Sequence, residues 1–248
     1  MKNIWSTLGR WAESRHKGLT VTLVEAGPAD SALVGLMALV EAPGGEPFGP
    51  LTESPFWPAD LEAVLADALS GALPEEGRLA ENQGRRYYVA PMAFSRRALI
   101  LGGGHVGSAL AELLRFLTFE VAIMDDRPEF AAPRTDGAEA VCDSYDNLTA
   151  RFAAHGFEAV VIVTRGHAQD SACLRQVLSW PATPPYVGMI GSRSRTRETM
   201  EMLSKEGFSP EKLGLVHTPI GLKIGAQTPA EIAVSIAAEI IQEFYRDR

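Results

Sequence analysis

The spacing of apolar positions along this chain changes character near residue 96. Before it, Ile4, Trp5, Leu8 and Trp11 fall at helical spacing and predict an amphipathic helix over residues 3 to 16, packed on its own domain. Leu19 to Glu25 reads as a strand with Thr20 and Thr22 outward. Leu33 to Glu41 reads as a second strand, closed by Pro43-Gly44-Gly45, and Phe48 to Leu51 as a short extended piece. Pro58 and Asp60 open a helix with Leu61, Val64, Leu65, Ala68 and Leu69 on one face, stopping near Gly71. Arg86 to Ala90 is a strand that Pro91 ends. Residues 1–95 are therefore expected to form a small α+β domain, with its boundary around Met92 to Arg96.

From Arg97 short apolar runs alternate with helical stripes, the pattern of a parallel sheet covered on both faces, so residues 96–248 read as an α/β domain. Its strands are expected at Ala98–Leu101, Glu120–Met124, Ala138–Cys142, Ala159–Val163, Tyr186–Ile190 and Leu215–His217. Helices are expected from Val106 through Leu110, Leu113, Leu114 and Leu117, over Asn147–His155, and over Gln169–Trp180 with Leu174, Val177 and Leu178 inward. Another runs to Lys205 and is closed by Gly207. Pro128 and Pro133 leave room only for a loop or one turn. Thr228-Pro229-Ala230-Glu231 has the form of a capping box, opening a last helix whose core stripe is Ile232, Ile236, Ile240 and Phe244.

The candidate chemistry gathers where these strands end. Gly102, Gly104 and Gly107, with Gly103, His105 and Val106 between them, fit the G-x-G-x-x-G register of a dinucleotide-binding turn. The first glycine permits the bend, the second lets a pyrophosphate approach, and the third lets the helix pack on the strand; the helix N-terminus then attracts an anion. Asp125 and Asp126 lie about 20 residues on, where a ribose-binding carboxylate is expected. Asp125 is the candidate for the ribose hydroxyls and would repel a 2′-phosphate, a discrimination that Arg127 weakens. Asp126 reads equally as a ligand residue or a cap for the following turn. His105 is either a neutral hydrogen-bonding imidazole or a packing histidine. Thr164, Arg165, Gly166 and His167 end the next strand; Asp170 either fixes the His167 tautomer or only favours its helix N-terminus. Gly191, Ser192 and Arg193 end the fifth strand, and Arg193, Arg195 and Arg197 fit either an anionic ligand or a solvated face. Cys142 reads as a small buried hydrophobe in place of a reactive thiol, and Cys173 as core.

Composition narrows the partners. With 248 residues, 46% hydrophobic, the chain suits a folded protein of one large or two modest domains. Twenty-three Lys and Arg against 31 Asp and Glu give a net charge of -8, which argues against a nucleic-acid binder. Cys142 and Cys173 have no zinc spacing and suit a reducing cytoplasm. No signal-peptide core and no run long enough for a membrane span is expected. No Gly-x-Ser-x-Gly elbow, Walker lysine or His-Glu-x-x-His occurs, so no catalytic residue is nominated.

The runs Leu99–Gly107, Asp125-Asp126-Arg127-Pro128-Glu129, Thr164–His167, Gly188–Arg193 and His217–Leu222, with Ile224–Ala233, resemble the XdhC/CoxI family of xanthine dehydrogenase accessory proteins over residues 97 to 245. That resemblance implies a Rossmann-type C-terminal domain. It also implies a maturation factor for molybdenum hydroxylases that binds the molybdenum cofactor, supports its sulfuration with a cysteine desulfurase and hands it to the apoenzyme. The cofactor implied is a molybdopterin, in simple or dinucleotide form. Family members usually carry a Ser-Gly-Gly-Cys-x-Glu motif in their first domain; the comparable place here reads Thr52-Glu53-Ser54-Pro55, and no cysteine precedes Cys142.

Two further functions fit the same residues. One is an NAD(P)-dependent oxidoreductase, since the turn and acidic pair suit that cofactor; the other is a regulatory subunit that senses nucleotides. For a protein of this class a homodimer is expected, without an interface assigned to it.

Overall fold

The computed structural model describes residues 4–14, 18–41, 46–57, 59–68, 76–92, 95–130 and 137–246. The chain divides into two units, Met1–Phe94 and Ser95–Arg248. The expected turn at Pro43–Gly45, the residues Pro58, Leu69, Gly71 and Pro133, both ends of the 3 to 16 helix and the middle of the 92 to 96 boundary lie outside the described residues.

In the first unit, β1 (Gly18–Glu25), β2 (Met37–Glu41), β3 (Arg78–Asn82) and β4 (Arg85–Pro91) form an antiparallel sheet in the order β2-β1-β4-β3. Its helices are α1 (Ile4–Ser14) and α2 (Ala59–Ala68). Alternation along the strands sends Val21, Leu23, Tyr87 and Val89 into a core shared with Leu51, Phe56 and Val64. In α1, Ile4 and Thr7 are buried, whereas Trp5 is 70% exposed and leaves the expected stripe.

Three departures from the sequence reading have local causes. The strand expected from Leu33 begins only at Met37, because the backbone turns at Gly35 (φ +93°), whose N–H donates to the Leu23 carbonyl. Of the extended piece at 48–51, only Phe48 pairs, with Leu39; Pro50–Glu53 winds into a 3-10 turn. Strand β3 has no counterpart in the apolar pattern. It pairs with β4 across Gln83-Gly84, both at positive φ, the two-residue turn that matches strand twist.

A buried carboxylate ties this hairpin to α2. Asp60, in the first turn of α2, accepts hydrogen bonds from Tyr87 Oη, from Asn82 Nδ2 (2.7 Å) and from Arg85 Nη1 (3.1 Å).

The second unit holds a sheet of six parallel strands: β5 (Arg97–Leu101), β6 (Glu120–Asp125), β7 (Glu139–Cys142), β8 (Ala159–Ile162), β9 (Tyr186–Met189) and β10 (Val216–His217). Their order, β10-β9-β8-β5-β6-β7, is that of a doubly wound Rossmann fold, with the reversal between β5 and β8. The helices are α3 (His105–Phe116), α4 (Leu148–Phe152), α5 (His167–Leu178), α6 (Arg193–Lys205), α7 (Pro210–Gly214) and α8 (Pro229–Phe244). Adjacent residues of one strand serve opposite faces. Leu99 and Leu101 pack with Phe152, Leu174, Leu178 and Leu203, whereas Ala98 and Ile100 pack with Leu110, Leu114, Ile236 and Ile240. The capping box at Thr228 and Glu231 is formed as expected; the short α7 is an addition to the expected elements. Among the described residues, no helix is long and apolar enough to cross a membrane.

Removing one donor from the buried Asp60 charge should loosen the first unit. Tyr87→Phe, at a fully buried position, is expected to cost about 1–3 kcal/mol, read as a lower midpoint in chemical unfolding.

Candidate phosphate-binding site at the strand tips

The chain leaves β5 through four residues whose requirements differ. Gly102 has φ +116° and donates its N–H to the Met124 carbonyl (2.8 Å); a Cβ there would lie 2.3 Å from the Val163 carbonyl oxygen. A Cβ on Gly103 would lie 2.1 Å from the Phe130 carbonyl oxygen, and one on Gly107 only 1.8 Å from the carbonyl oxygen of Gly102. Gly104 is the exception: a Cβ there would meet nothing within 4 Å. Three of the glycines are thus demanded by the protein's own packing, and the fourth faces open space.

Gly104 is also the N-cap residue of α3, and no side chain caps that end. The first turn of α3 therefore presents main-chain N–H groups, and the positive end of its dipole, beside the open glycine. An anion fits there. His105, the first helical residue, is exposed, which removes its reading as a packing histidine; Val106 is half-buried.

Asp125 does not offer its carboxylate to a ribose. It is fully buried, and Oδ2 accepts from Gly103 N (2.8 Å) and Arg127 Nη2 (3.0 Å), while Oδ1 accepts from the N–H (3.0 Å) and Nε (2.9 Å) of Arg127. Both oxygens are spent inside the chain. Burial alone would raise this carboxyl's pKa, but the bonds from the Arg127 side chain and from the Gly103 and Arg127 amides prevail and hold it below its ordinary value. Arg127 in turn lies over the Phe130 ring, 3.9 Å from its centroid. Asp125, Arg127 and Phe130 together brace Gly103. Phe130 escaped the sequence reading, although its place three residues after Arg127 on a predicted turn was a usable signal.

Asp126 does not cap the following turn. Its Oδ2 accepts from Arg165 Nη2 at 2.8 Å, across 39 positions of sequence. Just beyond β8, Thr164 bonds Asp170: Oδ1 accepts from the Thr164 amide (3.0 Å) and hydroxyl (2.6 Å). Asp170 thus orients Thr164; it lies in the first turn of α5, as the second of its two expected readings has it, and no hydrogen bond joins it to His167 among the described residues. Burial is the larger influence and pushes the Asp170 carboxyl up, against the opposing bonds from Thr164. Gly166 is the N-cap residue of α5, again without a side-chain cap, and His167 follows it half-buried.

After β9, half-buried Gly191 leads to Ser192, which caps α6 by accepting from the Arg195 amide (3.5 Å). Arg193 and Arg195 are exposed, and Arg197 lies 3.8 Å from Glu201. Cys142, in register with Asp125 at the tip of β7, is exposed and not the buried hydrophobe expected; its strand is at the sheet edge, with a single neighbour. Cys173 is buried, which pushes its thiol up to about 12. The strand order sets the tips of β6, β5 and β8 side by side, with β9 next, so the residues nominated from sequence share one edge. Two cavities, of about 170 and 200 Å³, include Arg97, Glu120 and Glu139 and, separately, Glu158 and Pro185, at or just before strand starts on the opposite edge.

The two buried carboxylates should shape stability against pH in opposite senses. Asp125, with its folded pKa depressed, contributes stability that is present above about pH 4 and is lost as pH falls through the folded value. Asp170, with its folded pKa raised, contributes stability that is lost as pH rises through the folded value. In urea-unfolding series across acid to neutral pH, Asp125→Asn should flatten the acid limb, and Asp170→Asn should gain on the parent chain as pH rises.

Comparison with known proteins agrees with this geometry. The family model for the XdhC Rossmann domain matches residues 98–240. A protein of Bacillus subtilis described as a probable xanthine dehydrogenase component is 30% identical over 150 residues, covering 59% of this chain and 42% of the relative. The uncharacterized protein YqeB of Escherichia coli K12 is 30% identical over 151 residues, covering 59% of this chain and 27% of YqeB. The chain thus spans well under half of either curated relative. In fold, it matches the crystal structure of a xanthine dehydrogenase from Bacillus halodurans with a TM-score of 0.73 and 21% identity, over 97% of this chain and 66% of that one. The doubly wound sheet agrees with the Rossmann domain that the family model names, and with that model matching more than half of its length the chain belongs to the XdhC family.

Proposed function

We propose that this chain is an accessory protein for a molybdenum hydroxylase of the xanthine dehydrogenase type, holding the molybdenum cofactor and handing it to the apoenzyme. The observation that carries the reading is the open space at Gly104 beside the uncapped N-terminus of α3. A phosphate group fits that combination of close backbone approach, free N–H groups and positive dipole end. Gly102, Gly103, His105, Val106 and Gly107 form the turn around it. To the rest of the ligand we assign Thr164, Arg165, Gly166 and His167, after neighbouring β8, and Gly191, Ser192 and Arg193, after β9. Membership of the XdhC family and the names of the relatives support the choice of molybdopterin over other phosphorylated ligands.

When bound, the molybdopterin supplies the metal and sulfur chemistry; this chain's residues hold its anionic end and leave the rest accessible. Ser54, where relatives carry the Ser-Gly-Gly-Cys motif, donates its hydroxyl to the Leu51 carbonyl (2.8 Å), and the first unit contains no cysteine. Sulfuration is accordingly read as the work of the cysteine desulfurase acting on cofactor presented here.

The oxidoreductase alternative rests on the glycine turn and the acidic pair, and of that pair the Asp125 carboxylate is already saturated. The chain purified from a molybdate-replete host should carry a pterin that fluoresces after oxidation. Absence of pterin together with failure to bind added cofactor would sink the reading, and hydride transfer from bound NADH to a carbonyl compound would establish the alternative. Two glycine variants separate cradle from scaffold. Gly104→Ala should change stability by less than about 1 kcal/mol while weakening cofactor binding about tenfold or more. Gly107→Ala should cost about 3 kcal/mol, because its Cβ has no room.

A further inference from the structure

A dinucleotide makes two demands on a glycine turn of this kind. Its pyrophosphate needs the helix N-terminus, and the ribose beyond it needs an open carboxylate at the tip of the next strand. The chain meets the first demand and closes off the second with its own atoms. An ionised carboxylate has about four acceptor positions. Those of Asp125 are taken by the N–H, Nε and Nη2 of Arg127 and by the Gly103 amide, and the residue is fully buried.

The space beside that carboxylate is filled as well. The carbonyl carbon and the Cβ of Phe130 would lie 3.1 and 3.2 Å from a Cβ on Gly103, so residue 130 sits directly on the turn. The Arg127 guanidinium covers the Phe130 ring at 3.9 Å from its centroid. Across the end of β5, Arg165 donates to Asp126 (2.8 Å), so the two tips that a dinucleotide would span are already joined to each other. Gly104 differs, since a Cβ there would meet nothing within 4 Å. The turn is open at Gly104 and shut at Gly103.

We propose that Arg127 and Phe130 determine specificity by restricting the turn to terminal phosphates, those carrying one organic substituent. A phosphate monoester enters at Gly104 with its single ester bond leading away from β6. An internal pyrophosphate brings a second substituent, and its nucleoside meets Phe130 and Arg127 where it would otherwise find a ribose acceptor. The proposal rests on the turn being a phosphate cradle, and it narrows the molybdopterin proposed above to the form without a nucleotide.

The test uses a matched pair, flavin mononucleotide and flavin adenine dinucleotide, which share the ring system and ribityl phosphate and differ only in the added adenylate. By calorimetry at low ionic strength, the full chain should bind the mononucleotide at least about tenfold more tightly (about 1.4 kcal/mol). Arg127→Ala frees Asp125 and uncovers the Phe130 ring, and should tighten the dinucleotide about tenfold. Because that variant also unpairs a buried charge, Phe130→Ala is measured beside it; it keeps the Asp125 pairing and should narrow the preference in the same direction. A preference unchanged in every variant that folds overturns the proposal. So does a parent chain that binds the mononucleotide no more tightly than the dinucleotide, or binds neither. Inorganic phosphate, titrated alongside, separates the two readings: where it binds, the cradle stands without the proposal, and where it also fails to bind, both fall.

Discussion

Helix α3 can begin on the end of β5 because nothing stands between Gly107 and the carbonyl of Gly102, where a single methyl would come within 1.8 Å of the oxygen. The contact sets the depth at which α3 lies on the sheet. At that depth Leu110 and Leu114 are fully buried with Ile123 of β6 and Ile236 of α8. It also sets where α3 starts, which is level with the strand tips, so that its unsatisfied N–H groups face the edge at which α/β sheets bind ligands. Packing and binding are thus consequences of one close approach.

The brace around Gly103 turns the same region from a flexible bend into a fixed one. Asp125 receives four donors, and its charge is matched by Arg127, whose guanidinium is flanked by Phe130. A carboxylate this well paired is a structural element, held ionised by its bonds despite its burial. Its neighbour Asp126 instead pairs with Arg165 and keeps one oxygen without a hydrogen-bond donor among the described residues. Adjacent acidic residues therefore have separate partners, one within its own strand tip and one across the end of β5.

The carrier role proposed above would require a grip on an end of the cofactor that the recipient does not need, and a phosphate seated on main-chain N–H groups would answer that requirement.

Local patterning was enough to read a parallel sheet covered on both faces, the glycine turn and the capped start of α8. Each is written in residues close together in sequence: an apolar run of four or five, three glycines within six positions, a Thr-Pro-Ala-Glu cap. The strand-end rule likewise placed Arg165 and Ser192 on the correct edge. The partners of individual side chains were not legible. Strand β3 depends on pairing with β4, the turn at Gly35 on a bond to Leu23, and the exposure of Cys142 on its strand being at the sheet edge. Asp125 looked like a ribose ligand until folding brought Gly103, 22 positions away, within 2.8 Å of it. The bond from the Thr164 amide to Asp170 was hidden for a similar reason, since the chain's reversal before α5 sets that amide within reach. Periodicity determines which face of an element is buried, because that depends on nearest neighbours along the chain. Which hydrogen-bonding group is spent and which is left for a ligand depends on atoms brought together from distant positions, and only the tertiary structure decides that.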